Sequence, residues 1–430
     1  MQLFSWKRVI KRLANLQLAI GLLFAIGVVI AFGTIIEQNQ NINFYQQNYP
    51  ESNPLFGWLT WKLILRLELN KIYTAYWFLI LIVIFGASLI ACTLSVQLPA
   101  LRRFKRWKFY TDTKKVKGYE HNLLLHHSNG LSYHLHSAKY HLYRQGRKNY
   151  AYSGLLGRVG PIVVHASIIL LLIGSSIGAV TGYTGQEIIP RGEIFHIQNL
   201  IKLGPTSTVP QNLAWRVNDF WITYTTELKT NQFYSDLSLL DTFGNEIKRK
   251  IIFVNEPFVY QGITVYQTDW DIIGIKVIQN NDGTLQVPLK KIIKNGRKFW
   301  LGSMQTSQGQ SVSILLNDLN NQIYLYDKIG VLIKVIKLGE TFSPNPTEFI
   351  TFTEFLTSTG LQIKTDPGLR TVYLAFFFLI ISAYASFISY SQIWSVENQA
   401  KLELTGNSNR AVLFFQTEIQ RIINKTRLNF

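Results

Sequence analysis

Four long apolar runs constrain this chain more than any other feature. They occupy residues 16–36, 73–94, 160–180 and 372–390. The first, LQLAIGLLFAIGVVIAFGTII, is uncharged; at ~1.5 Å per residue such a run crosses a ~30 Å hydrocarbon core. Each reads as a transmembrane helix, so the chain reads as a polytopic α-helical membrane protein. Lys7, Arg8, Lys11 and Arg12 precede the first run, as in a signal peptide. The run is longer than a signal's apolar stretch, however, and no small-residue cleavage site follows. It reads as a retained anchor behind a basic arm, 1–15, without the look of an organelle import sequence. Tyr73, Tyr76, Trp77 and Trp394 lie near predicted interfaces, as aromatic belts do. Asp366 is placed to cap the fourth helix, with Pro367 at its first position.

Lysine and arginine bias gives the orientation. The basic arm and the loop 95–159, with LRRFKRWK, TKKVK, RQGRK and Arg158, belong on the inner side. The loop 37–72 carries only Lys62, Arg66 and Lys71 against Glu51 and Glu68; it and 181–371 belong outside. The tail, 391–430, returns inside. The net charge of +18 suggests nucleic acid or an anionic membrane. Its residues crowd beside the spans, where lipid head groups attract them, so the partner is the membrane and not nucleic acid.

Residues 181–371 hold no long apolar run. Short alternating stretches such as WRVNDFWITYTT, GITVYQTDW and QIYLYD are separated by turn signals such as DTFGN, NNDG and KNG. They predict a large all-β extramembrane domain between helices three and four, of sandwich or barrel-like form. In the inner loop, roughly 122–152 reads as a small hairpin against the membrane.

A single cysteine, Cys92, excludes a disulfide framework, a CxxC redox pair or a thiolate zinc site within one chain. It reads as a small apolar side chain in a helix. No Ser-His-Asp set, phosphate loop or HExxH is present, and Asp219, Asp241, Glu256 and Asp269 form no recognisable pair. His121, His126, His127, His134, His136 and His141 cluster in the inner loop. On a strand, His134 and His136 share one face, but no carboxylate or cysteine joins them at fixed spacing, and a solvated strand explains them better than a metal site. His196 reads as a surface residue.

His165 differs, because it lies inside the third run. An imidazole in hydrocarbon is costly unless satisfied, and an intramembrane ionisable residue points to function. Neutral imidazole is a common axial ligand of haem iron. A hydrogen bond across helices, or a wet position near the interface, would also account for it. Gly174, Gly178 and Gly182 form a small-residue stripe for helix packing. Gly174 lies nine residues on, at 100° each on the opposite side of the helix.

Several segments together resemble the ResB/CcsB family of the System II cytochrome c maturation pathway. LANLQLAIGLLFAIGVVIAFGTIIEQ looks like its opening helix, and YTAYWFLILIVIFGASLIACTLSVQLP like its second. GLLGRVGPIVVHASIILLLIG resembles the third, with the intramembrane histidine. NDFWITY, FYSDLSLLD and VNEPFVYQGITVYQTDW match its most specific pattern, and DPGLRTVYLAFFFLIISAY resembles the return to the last helix. Order and spacing agree over most of the chain.

The resemblance implies a non-catalytic subunit of a cytochrome c synthetase complex, working with a CcsA-type membrane protein. Together they move haem across the membrane and attach it to CxxCH motifs of apocytochromes c. His165 would be an axial ligand to that transiently bound haem. The alternative is a scaffold that does not bind haem, or an apocytochrome chaperone, that stabilises the partner. A transporter would call for inverted repeats or broken helices, and the spans show neither. Asn-, Ile- and Lys-rich usage fits a plastid or cyanobacterial source, hence a thylakoid membrane with the β domain in the lumen.

Overall fold

The computed structural model describes residues 2–111, 118–124, 128–225, 230–280, 283–294, 296–398 and 401–428. It divides into two compact units, Met1–Gly174 with Arg370–Phe430, and Ser175–Leu369. Four helices are long and apolar enough to cross a membrane: Leu16–Ile35, Tyr76–Phe104, Leu156–Thr181 and Leu369–Ser386. Phe24, Val83, Phe377 and Ile380 on them are exposed, as residues facing lipid should be.

The span boundaries differ from the predicted ones where polar residues fall inside helices. The second span is α-helical over Tyr76–Cys92, takes one π turn at Thr93–Gln97, and continues as Leu98–Phe104. Thr93 and Ser95 return their hydroxyls to the carbonyls of Leu89 and Ala91, at 2.8 and 2.5 Å, which satisfies them without water. The third span starts at Leu156, so Arg158 lies in its first turn. The fourth starts at Leu369, whose N–H donates to the Asp366 carbonyl at 3.2 Å. Pro367 therefore lies in the turn ahead of the helix and not at its first position. The Asp366 carboxylate pairs with Lys364 at 3.7 Å.

The loop between the first two spans is ordered rather than open. Helices Ile42–Asn48 and Trp61–Arg66 and a 3-10 turn at Leu69–Thr74 enclose Tyr45, Leu59, Ile64 and Ile72, all fully buried. Gln38 ties both ends together. Its amide donates to the carbonyls of Ile36 and Leu69, and its oxygen accepts the N–H of Ile72. Beside it the Tyr49 hydroxyl donates to Glu37 at 2.6 Å. That bond lowers the Glu37 pKa, while burial and then the Glu37 carboxylate push Tyr49 up to about 12. A raised phenol favours the fold below its ordinary pKa, near 10, and the benefit is lost as pH rises toward 12. Tyr49→Phe is therefore expected to abolish this loop's extra loss of stability between pH 10 and 12, read by thermal unfolding across that window.

The basic loop and the tail build one small domain. Five antiparallel strands lie in the order Tyr119–Leu124, Lys401–Ser408, Ser391–Asn398, Lys148–Ser153, His141–Gln145. Helices Ser128–Ser137 and Val412–Leu428 add Leu131, Leu135, Ile419 and Ile423 to a core with Leu402 and Leu404. The predicted hairpin is thus two strands of a larger sheet that the tail completes. Its strands come from either side of the third and fourth spans. Loop and tail therefore share one side of the membrane, as four crossings require.

The second unit is β throughout, as alternation predicts; Ser311–Leu316, for example, buries every second residue. Its spine is an antiparallel pair, Ile263–Gln279 and Glu348–Thr365, with register shifts at three points where bulges bend the ribbon. One half of the ribbon faces the four-stranded sheet that holds Ala214–Tyr224 and Thr230–Leu240. That core contains Trp215, Leu237, Phe258 and Val265. The other half faces a five-stranded meander running from Lys290–Lys294 to Leu332–Lys337, and there Trp300, Ile314, Leu325 and Phe352 are buried.

Candidate functional site

His165 projects from the third span onto the π turn of the second. Its Nδ1 lies 3.2 Å from Thr93 Oγ1, and its Nε2 lies 3.2 Å from Gln97 Nε2. The Thr93 hydrogen is already donated to Leu89, so Thr93 can only accept from the ring. Nδ1 therefore carries the proton, and bare Nε2 accepts from the Gln97 amide. The network assigns a neutral imidazole with one lone pair. Gln97 makes only half of its bonds, since its Oε1 is buried with no partner among the described residues.

The backbone explains how two side chains reach one ring. Thr93 and Gln97 stand four apart, and the π turn between them redirects the helix face; such turns are common at functional sites. At Gly86 the second span meets the third, and a Cβ there would make only ordinary contact with the Leu172 side chain, at 3.4 Å. On the other side of the third span, Gly160 and Gly174 receive the fourth. A Cβ at Gly160 would lie 2.7 Å from the Ser386 nitrogen, and one at Gly174 3.1 Å from that of Val372. Of the predicted stripe, only Gly174 seats a helix. Gly178 faces the Asp366 side chain and Gly182 the Thr365 carbonyl.

The sequence profile of the ResB-like family matches residues 16–329. The chain belongs to the ResB-like family. It is 53% identical over 430 residues to the cytochrome c biogenesis protein Ccs1 of Emiliania huxleyi, with 98% of each chain covered. It is 44% identical to the Ccs1 of Porphyra purpurea, covering 97% and 96%. It is 40% identical to the cytochrome c biogenesis protein CcsB of Picosynechococcus, covering 97% and 92%.

In this ResB-like chain the other candidates do not converge. His121 is on a strand, and Arg427 donates to its Nε2 at 2.9 Å. Burial, then the Arg427 charge, lowers its pKa. His134 and His136 are on the helix Ser128–Ser137, not on a strand, because the Leu131 and Leu135 pair seats that segment in the core that loop and tail share. His141 lies beside Tyr152, and His126 and His127 lie outside the described residues. Among the described residues no three His, Cys, Asp or Glu side chains gather as metal ligands. His196 is exposed and bonds the Leu213 carbonyl. Cys92 is half-buried in the second span. Asp219 pairs with Arg191, Asp269 with Lys298 and Glu256 with Lys250, while Asp241 caps its own turn.

Sequence reasoning named His165 but passed over Thr93, Gln97 and Arg158. Polar side chains at the end of an apolar run were the available signal. Arg158 is half-buried, its guanidinium 4.1 Å from the centre of the Phe104 ring and 5.3 Å from that of Tyr390. Burial, then the Tyr150 hydroxyl, raises the Tyr390 pKa, so this phenol stays neutral and supplies no counter-charge.

Proposed function

We propose that this chain serves cytochrome c biogenesis at the haem step, with His165 as an axial ligand inside the membrane. One observation carries the reading: among the described residues, Nε2 of a neutral imidazole meets the amide of a half-satisfied glutamine and no other polar side chain. A metal ligand needs that lone pair, and the usual companion of a ligating histidine is a partner on its other nitrogen. Thr93 is that partner here. It fixes the tautomer and the ring plane, and Gln97 yields its place when iron is taken. Haem is the cargo, and its iron supplies the acceptor for the imidazole. A CcsA-type protein provides the remaining ligands, and the β domain receives apocytochromes c for attachment. The alga and cyanobacterium relatives support a thylakoid membrane, with the β domain in the lumen.

The test is a haem titration of the purified chain, alone and with its partner, followed by absorption. Thr93→Val is expected to weaken haem binding roughly 10- to 100-fold, as loss of an outer-shell partner does. His165 could instead serve only to lock two spans, since both its nitrogens bond the second span. In that case Thr93→Val lowers the melting temperature and leaves the titration unchanged.

A further inference from the structure

Arg158 is a half-buried charge that the site above does not use. It lies seven residues before His165 on one continuous helix. Seven residues are two turns, about 10.5 Å along the axis and within about 20° of the same face. Phe104, which supports its guanidinium, likewise follows Gln97 by seven residues on the second span. The pairs His165 with Gln97 and Arg158 with Phe104 therefore form two successive rungs between two antiparallel helices.

The upper rung offers a lone pair, and the lower rung offers an uncompensated cation. The Arg158 Nε is buried with no partner among the described residues. No ion pair among them includes Arg158. Phe104 and Tyr390 offer ring faces, which hold a guanidinium flat and leave its edge for an oxyanion. A partly desolvated cation without an anion is unfavourable, and the like charge of Arg410 acts on the same guanidinium, so the geometry favours an anion from outside the chain.

We infer that Arg158 binds a carboxylate of the porphyrin cargo, orienting haem with its acidic edge toward the basic loop; this rests on the ligand role of His165. Arginine meets a carboxylate with two parallel bonds. A porphyrin's carboxylates hang from its rim, on the scale that separates the two rungs. Arg158 is thus a positioning residue: it sets the angle at which iron meets His165, and it discriminates haem from porphyrins without free acids.

The experiment titrates the full chain with its partner, in zwitterionic nanodiscs, with haem and with haem dimethyl ester. Wild type is expected to bind haem roughly 10- to 100-fold more tightly than the ester, the value of a charge-assisted bond. Arg158→Gln should bind both at the ester's affinity and keep the imidazole-ligated spectrum. Arg158→Lys, which retains charge but loses the flat fork, should restore part of the discrimination. Equal binding of both by wild type, or full discrimination by Arg158→Gln, overturns the assignment. If Arg158→Gln lowers retention of added phosphatidylglycerol while discrimination persists, the residue anchors a lipid phosphate and the assignment is likewise overturned. A His165→Ala chain whose spectrum matches wild type defeats the ligand reading itself, and Arg158's role falls with it.

Discussion

His165→Ala is expected to remove essentially all haem that co-purifies with the chain and its partner, and to stop maturation of c-type cytochromes. The effect should be all or none, because alanine offers iron no lone pair. The structural cost is small by comparison. The substitution gives up two neutral side-chain bonds, each worth about 0.5–1.5 kcal/mol, in a bundle also held by glycine-seated helices. Chain and partner should therefore persist at normal levels while haem disappears. Haem per complex and partner abundance, measured on the same preparation, separate the two readings. Full haem with normal partner levels removes the ligand role. Partner loss in proportion to haem loss leaves a scaffold.

Gly160→Leu is expected to prevent the third and fourth spans from docking, with almost no folded chain recovered. A Cβ at this position would lie 2.7 Å from the Ser386 backbone nitrogen. Backbone cannot turn aside as a side chain can, so the helices must separate. Overpacking of this kind costs about 3 kcal/mol or more. Gly174→Ala provides the graded control. Its nearest atoms stand at 3.1 Å and two of them belong to side chains of Thr371 and Val372, so a milder fall in melting temperature is expected. Equal tolerance of both changes would show that the spans do not depend on this contact.

The four spans were legible because hydrocarbon demands long apolar runs, and nothing else in the chain resembles one. Their ends were not, because charges and hydroxyls mark an end only when water must solvate them. Arg158 lies within a helix because aromatic rings receive it, and Thr93 because it bonds its own backbone. The β domain was legible in its alternation. Its division into two lobes was not, since that depends on bulges between distant strands, such as the shift between Gln267 and Asp269. The sheet that loop and tail share was missed for a related reason. Ser391–Asn398 pairs with Lys148–Ser153, a partner more than two hundred residues away that no local pattern announces. Of the site, His165 stood out because an imidazole among aliphatics breaks the pattern. Gln97 did not, because the reading had already ended the helix at residue 94.

The sheet that loop and tail share also imposes a timetable on synthesis. Strands 119–124 and 148–153 leave the ribosome long before 391–398 and 401–408, which both lie between them. Until then 119–124 has no partner strand, and 148–153 has only 141–145. Arrival of the late hairpin closes the gap from the middle of the sheet, like a keystone. Seating of the fourth span on Gly160 and Gly174 likewise waits until the β domain has been translated, because that span and the late hairpin both follow it in the chain.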